Sequence, residues 1–167
     1  MKKKAYFAGG CFWCIEPVFE SLPGVFSATS GYSGGDKINP AYEDVKAQRT
    51  GHRETVCVEY DDALLSFDTL LETFLGSVDP FDGGGQFIDR GHSYTLAVYC
   101  TGEEERRITE AKLAALELSA GKNVYISVEA FQSFYPAEEY HQDFYLKNPD
   151  AFQKELEESG RRRKAEG

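Results

Sequence analysis

The amino-acid sequence predicts one α/β domain of the two-layer sandwich type, with roughly five strands covered by about three helices. The chain has 167 residues, the length of one ordinary domain. Its composition is 41% hydrophobic and 14% aromatic, which suits a packed core and excludes general disorder. Segments with strand character alternate with segments of helical periodicity. This alternation predicts the two layers but leaves open whether the sheet is parallel, antiparallel or mixed.

The predicted strands are short runs rich in β-branched and aromatic residues, each of which ends at a turn signal. They cover residues 4–8, 25–30, 54–60, 94–100 and 124–128. Two long segments between them, 31–53 and 77–92, are predicted as loops. Loops of such length in a compact domain are usually functional.

The predicted helices have apolar residues at the spacing of one helix face. The first contains Pro17, which predicts a kink or a late start. Ser66 is the predicted N-cap of the second, and Thr101 with Glu104 predicts a capping box before the third. The expected core face of the third helix consists of Ile108, Ala111, Ala115 and Leu118. A short helix near residues 151–159 ends the domain.

Charge and hydropathy exclude two large classes of partner. Lys and Arg number 18 and Asp and Glu number 28, so the net charge is −10 and no nucleic-acid surface is expected. No apolar run approaches the roughly 20 residues of a membrane span, and the run after Lys4 indicates a strand, not a signal peptide. We expect a cytoplasmic monomer with reduced thiols, a single domain over residues 1–160 and a basic tail over 161–167.

The strongest chemical signal is the segment GGCFWC at residues 9–14, which joins a strand to a helix. Its two glycines let the backbone turn sharply, which places Cys11 at or just before a helix N-terminus. Unpaired N–H groups and the helix dipole stabilise a thiolate there, so Cys11 is a candidate nucleophile. Cys14 is near enough to form a disulfide with it. Phe12 and Trp13 offer an apolar seat for a small group.

Two other interpretations of the cysteines stay open. A structural zinc site needs about four ligands, of which a CxxC pair supplies two, but the sequence has no second CxxC pair. Cys57 and Cys100 lie singly in predicted strands, where a free cysteine is usually an apolar core residue. The same pair at a strand–helix junction is also typical of a thioredoxin-like thiol–disulfide oxidoreductase.

Further side chains are suited to proton transfer or hydrogen bonding. Glu54 follows the first long loop, and a half-buried carboxyl there would have a raised pKa and donate a proton near neutral pH. Spacing alone favours an exposed, ion-paired residue instead. Tyr32, Tyr42 and Tyr94 offer hydroxyl donors to an oxygen that develops negative charge, with packing as the alternative for each. His141 is a candidate base or orienting group, or a structural histidine.

These motifs together resemble one known family. They are GGCFWC at 9–14, PAYEDV at 40–45, GHRETV at 51–56, DP at 79–80, DRGHSY at 89–94, AEEYHQ at 137–142 and KNP at 147–149. Their order, and their spread over most of the chain, resemble the peptide methionine sulfoxide reductases of type A.

The resemblance implies an α+β two-layer fold with a mixed β-sheet and flanking helices, of the ferredoxin-like type. It implies the reduction of methionine S-sulfoxide, free or in proteins, to methionine. By the same resemblance, Cys11 attacks the sulfoxide sulfur and Glu54 protonates the oxygen. The implied binding residues are Phe12 and Trp13 for the methyl group, Tyr42 and Tyr94 for the oxygen, and Asp89 in the surrounding polar shell. The implied catalytic cycle needs no cofactor and no metal, and uses thioredoxin or another thiol as the reductant.

This chain departs from the family pattern in two places. Many relatives carry a resolving cysteine in a glycine-rich tail after the KNP motif, whereas this chain continues with DAFQK and a charged helix without cysteine. We expect either Cys14 or an external thiol to react with the Cys11 sulfenic acid. The second departure is at residues 91–95, where relatives often have Thr or Ser and then Gln before the tyrosine, and Arg after it.

Overall fold

A six-stranded mixed sheet forms the centre of the fold. It is seen in a computed structural model that describes residues 1–159, so the basic tail predicted over 161–167 lies outside the described residues. The strands are β1 (Lys2–Gly9), β2 (Val25–Ser33), β3 (Arg53–Asp61), β4 (Gly85–Gln86), β5 (Asp89–Arg90), β6 (Leu96–Cys100), β7 (Ile126–Ala130) and β8 (Tyr135–Pro136). The helices are α1 (Phe12–Glu20), α2 (Tyr42–Lys46), α3 (Phe67–Ser77), α4 (Glu103–Ala120), α5 (Phe144–Lys147) and α6 (Pro149–Ser159), with 3-10 turns at His92–Tyr94 and Glu139–His141.

Strand β1 lies inside the sheet, whose order is β7-β6-β1-β3-β2-β8. Strands β6 and β7 are parallel, and the other neighbours are antiparallel. Phe7 of β1 therefore pairs with Val56 of β3 on one side and with Val98 of β6 on the other. Strands β4 and β5 form a separate ribbon. The α+β class with a mixed sheet and flanking helices is confirmed.

Alternate residues of β1 point to opposite faces of the sheet, as strand geometry requires. Ala5 and Phe7 belong to the main core, to which α1, α3 and α4 contribute. The Phe7 ring stacks on Phe19 of α1 with 5.1 Å between the ring centroids. On the other face Tyr6 stacks on Phe131 at 4.0 Å. Because both faces of β1 are covered, its end is a rigid base for the residues that follow.

Helix α4 buries only part of the face that its sequence predicts, since Ile108 packs against the core whereas Ala111 and Ala115 are exposed. Its buried residues are Thr109 and Leu113, whereas Leu118, expected in the core, is 87% exposed. Apolar residues occur on several sides of α4, so their spacing does not select one face. The packing of α4 against the sheet and α3 makes that selection.

The starts of two helices test the predicted caps. The Thr69 N–H donates to Ser66 Oγ at 3.1 Å, so the prediction that Ser66 caps α3 is confirmed. At α4 the predicted box between Thr101 and Glu104 is wrong, because Glu105 is the third residue of the helix. Glu105 accepts hydrogen bonds from the Thr101 N–H and hydroxyl at 3.1 and 3.0 Å.

Two segments predicted as loops contain short regular elements. Helix α2 lies within residues 31–53, and the β4–β5 ribbon lies within residues 77–92. Helix α1 begins directly at Phe12 and continues through Pro17, so the alternative of a late start is wrong. Of the described helices, none is both long and apolar enough to cross a membrane.

Candidate active site

The end of β1 presents Cys11 at the first turn of α1. Gly10 has a φ of +88°, a left-handed conformation that glycine adopts without strain, and it turns the chain sharply after the strand. Cys11 is the N-cap residue of α1 and is only 6% exposed. The candidate nucleophile therefore lies where a central strand meets the positive end of a helix dipole.

The pKa of the Cys11 thiol is raised, although its place at a helix N-terminus predicts easier ionisation. A hydrogen bond with Cys14 contributes most, followed by burial and by the charges of Cys14, Glu54 and Asp89. Burial disfavours the thiolate because the charged sulfur loses its water. Cys11 is therefore a protonated thiol at neutral pH in the substrate-free site.

The carboxyl group of Glu54 lies at the same helix end. Its Oε1 accepts a hydrogen bond from the Phe12 N–H at 3.2 Å, and its buried Oε2 has no hydrogen-bond partner among residues 1–159. Burial raises the pKa of Glu54 to about 8, while the bond from Phe12 lowers it and the charge of Asp89 raises it further. Glu54 is thus chiefly a neutral carboxylic acid at pH 7, and the alternative of an exposed, ion-paired side chain is wrong.

The two long connecting segments bring Tyr42 and Tyr94 to this pair. Tyr42 begins α2 and Tyr94 ends the first 3-10 turn, and the two phenols lie close enough for each to affect the pKa of the other. Burial and then the Glu54 charge raise the pKa of both phenols, so both remain hydrogen-bond donors. Asp89 of β5 acts electrostatically on Cys11, Glu54 and both tyrosines. Five predicted site residues from separate segments therefore form one cluster.

Phe12 and Trp13 extend the cluster into a group of stacked aromatic rings. The Phe12 ring lies 5.2 Å from His141, and the Trp13 ring stacks on Phe144 at 4.1 Å, measured between centroids. Trp13 Nε1 donates to His141 Nδ1 at 3.0 Å, and burial lowers the pKa of His141. The imidazole is therefore neutral, with its proton on Nε2. These rings give the apolar surface beside Cys11 that the sequence predicts.

Glu138 is a residue of this site that sequence reasoning does not identify. Its carboxylate accepts hydrogen bonds from the Tyr42 backbone N–H at 3.1 Å and from the Tyr32 hydroxyl at 2.9 Å. The first bond holds the start of α2 in place. The second engages Tyr32, a candidate donor in the sequence, in the scaffold of the site. Spacing does not connect Glu138 with Tyr42, which it follows by 96 positions, although Glu138 lies in the AEEYHQ motif at 137–142.

The cysteines fall into two groups. Cys14 is 4% exposed, is hydrogen-bonded to Cys11, and lies with it in a cluster that Phe152 of α6 completes. Cys57 and Cys100 are buried in other parts of the core, on β3 and β6. Within the described part of the chain, no cysteine belongs to the one group of metal-ligating side chains that converge. The zinc alternative therefore lacks a ligand set there.

Comparison with known proteins shows which family the chain belongs to. Residues 3–166 match the family model described as peptide methionine sulfoxide reductase. A relative from Halalkalibacterium halodurans, named peptide methionine sulfoxide reductase MsrA, is 45% identical over 161 residues, which are 95% of this chain and 92% of that protein. The structure of methionine sulfoxide reductase A of Corynebacterium diphtheriae has a TM-score of 0.81 at 30% identity, over 89% of this chain and 76% of that one.

The fold is also that of Mxr1 from Saccharomyces cerevisiae. The reduced form of Mxr1 gives a TM-score of 0.83 at 24% identity, over 89% of this chain and 87% of that one. Mxr1 in complex with Trx2 gives a TM-score of 0.59 at 19% identity, over 86% and 84% of the two chains. Because the family model spans nearly the whole sequence and the bacterial relative is similar throughout, this chain belongs to the peptide methionine sulfoxide reductase family.

Proposed function

We propose that this chain reduces methionine S-sulfoxide, free or in proteins, to methionine, with Cys11 as the nucleophile. The observation that carries this proposal is the neutral Glu54 carboxyl beside the Cys11 thiol. A sulfoxide oxygen leaves poorly unless it is protonated, and a buried acid with a pKa of about 8 is a proton donor suited to neutral pH. Family membership supports the thiol-dependent chemistry.

In the first step, the Cys11 sulfur attacks the sulfoxide sulfur while Glu54 delivers a proton to the sulfoxide oxygen. The S–O bond of the substrate then breaks, and the hydroxyl group bonds to the Cys11 sulfur in place of the transient bond between the two sulfur atoms, so the products are methionine and a Cys11 sulfenic acid. The proton of the Cys11 thiol restores the Glu54 carboxyl. The substrate sulfur gains two electrons and the Cys11 sulfur loses two, so the step is balanced without a cofactor.

The neighbouring side chains bind the two ends of the sulfoxide group. Phe12 and Trp13 hold the methyl group against their rings, and the indole is held in place by its bond to His141. Tyr42 and Tyr94 donate hydrogen bonds to the oxygen while negative charge develops on it. The effect of each phenol on the pKa of the other supports this role, because it requires the two side chains to be neighbours. Asp89 belongs to the surrounding polar shell.

Cys14 is the proposed resolving residue. Its backbone N–H donates to the Cys11 carbonyl at 3.1 Å, so the two residues share one turn, and both side chains lie in the same buried cluster. Condensation of the Cys14 thiol with the sulfenic acid releases water and leaves a Cys11–Cys14 disulfide. Phe152 supports this internal route over an external thiol, because it packs in one buried cluster with both cysteines.

Thioredoxin is the proposed reductant of this disulfide. Mxr1 has the same fold as this chain, and its complex with Trx2 supports this assignment. The reaction transfers two electrons from the thioredoxin dithiol to the Cys11–Cys14 disulfide and restores both thiols. We place the chain in the cytoplasm, since all four cysteines are free thiols and that compartment keeps thiols reduced.

The test is a single turnover without reductant. Reduced protein is mixed with racemic methionine sulfoxide, and methionine, the remaining epimers, lost thiols and disulfides are quantified. We expect one equivalent of methionine from the S epimer, together with a Cys11–Cys14 disulfide. Methionine with a trappable Cys11 sulfenic acid would keep the reductase and transfer regeneration to an external thiol. Absence of methionine would refute the proposed function and favour disulfide exchange.

A further inference from the structure

The side chain of Gln48 joins the two segments that carry the catalytic tyrosines. Gln48 follows α2, and its backbone N–H donates to the Val45 carbonyl at 3.0 Å. Its Oε1 accepts from the Ser93 N–H at 2.9 Å, and its Nε2 donates to Ser93 Oγ at 2.8 Å. One amide group therefore holds the 3-10 turn that ends in Tyr94 against the helix that begins with Tyr42.

The bond to the Ser93 N–H matters because Ser93 is fully buried. The first N–H groups of a helical turn have no partner within the turn, and a buried one must find a partner elsewhere. Gln48 supplies it across 45 positions of sequence. The neighbouring Gly91 lies directly against this amide, since a Cβ added there would be 2.9 Å from Gln48 Cδ.

Gln48 keeps this contact in an unfavourable backbone conformation. Its φ is +64°, in the left-handed region that glycine occupies without strain and a glutamine side chain rarely adopts. A residue chosen for the backbone alone would be glycine. Since Gln48 is itself exposed, burial of apolar surface does not explain it either. Its side chain provides the two hydrogen bonds to Ser93, and its Nε2 also donates to the Lys46 carbonyl at 3.0 Å.

We propose that Gln48 is a positioning residue for the reductase step, which fixes the Tyr94 hydroxyl relative to the Tyr42 hydroxyl. The inference rests on the proposed function, in which both hydroxyl groups bind the sulfoxide oxygen. Gln48 touches neither the substrate nor the reacting sulfur, and it acts through the turn at Ser93 and Tyr94. Loss of a complete donor to a developing oxyanion slows a reaction by roughly 10²–10³-fold. Misplacement of one donor should slow it by about tenfold.

The test compares Gln48→Gly with Asn39→Gly as a matched control. Asn39 is exposed and has a φ of +50°, so both substitutions put a glycine at an exposed left-handed position. We expect Gln48→Gly to lower the single-turnover rate of methionine formation by about tenfold, with little change in KM. Asn39→Gly should keep the wild-type rate. Gln48→Asn tolerates positive φ but is one methylene too short, so it should resemble Gln48→Gly.

The same measurement in a Tyr94→Phe background separates positioning from a general effect. If Gln48 acts through the Tyr94 hydroxyl, Gln48→Gly has no further effect once that hydroxyl is absent. A wild-type rate for Gln48→Gly, or an equal loss in both backgrounds, would overturn the inference. Tyr94→Phe alone with a wild-type rate would instead refute the role of Tyr94 in the proposed function, and the inference with it.

Discussion

The buried carboxyl group of Glu54 is expected to make the fold less stable at neutral pH than it would be with a neutral side chain. An exposed glutamate ionises near pH 4.5, whereas the pKa of Glu54 in the folded chain is about 8. Below pH 4.5 the group is neutral in both the folded and the unfolded state, and stability is unaffected. Between these two values the unfolded chain ionises Glu54 and the folded chain does not, so stability falls as the pH rises.

The size of this effect follows from the two pKa values. The loss in the free energy of unfolding is about 1 kcal/mol at pH 5, about 3 kcal/mol at pH 7 and about 4 kcal/mol at pH 8. Above pH 8 the loss levels off, because both states are then ionised. Burying Glu54 as a neutral acid therefore lowers the free energy of unfolding by a large part of its typical value.

Glu54→Gln should remove this loss together with the catalytic proton. Glutamine keeps an oxygen that can accept the Phe12 N–H, and its NH2 group replaces an Oε2 that has no partner among the described residues. We expect the variant to be more stable than the wild type by about 2–3 kcal/mol at pH 7. The single-turnover rate should fall by roughly 10²–10⁴-fold, the usual contribution of a positioned acid.

Urea unfolding at pH 5, 7 and 8 measures the first expectation, with methionine formation as the second readout. Glu59→Gln is the matched control, since Glu59 lies on the same strand and forms a surface ion pair with Lys2 at 3.1 Å. Its effect should stay below about 1 kcal/mol at each pH. A stability difference between Glu54→Gln and the wild type that is the same at pH 5 and pH 8 would contradict the raised pKa of Glu54.

Two further predictions concern the thiols. The Cys14→Ser variant should still form one equivalent of methionine in a single turnover, but leave a Cys11 sulfenic acid that dimedone traps. Its recycling by thioredoxin should be slower. A disulfide of Cys11 with another cysteine would contradict the assignment of Cys14 as the resolving residue. Phe152→Ala should raise the rate at which iodoacetamide alkylates Cys11 several-fold and lower stability by about 2–3 kcal/mol, because Phe152 packs in one buried cluster with both cysteines. An unchanged alkylation rate would show that α6 does not shield them.

Features that depend on a few consecutive residues are predictable from the sequence. The strand, the two glycines and Cys11 at the start of α1 follow from local backbone rules, and so does the Ser66 cap. The start of α4 is harder to predict from the sequence, because several neighbouring glutamates are suited to accept the Thr101 N–H. Glu105 accepts this hydrogen bond, and Glu104 does not. The buried face of α4 depends on what the helix packs against, which the apolar spacing of Leu118 does not contain.

The chemical groups and their local arrangement can be predicted from the sequence: a thiol at a helix start, a second thiol one turn later, and two aromatic rings beside them. Their protonation states depend on the folded structure. Burial makes Glu54 a neutral acid and raises the pKa of Cys11, although a helix N-terminus stabilises the thiolate. The folded structure also brings Gln48 and Ser93 together, from two different loops. Desolvation and hydrogen bonding between distant segments depend on which residues the sheet brings together, and periodicity reports only neighbours within a turn or a strand.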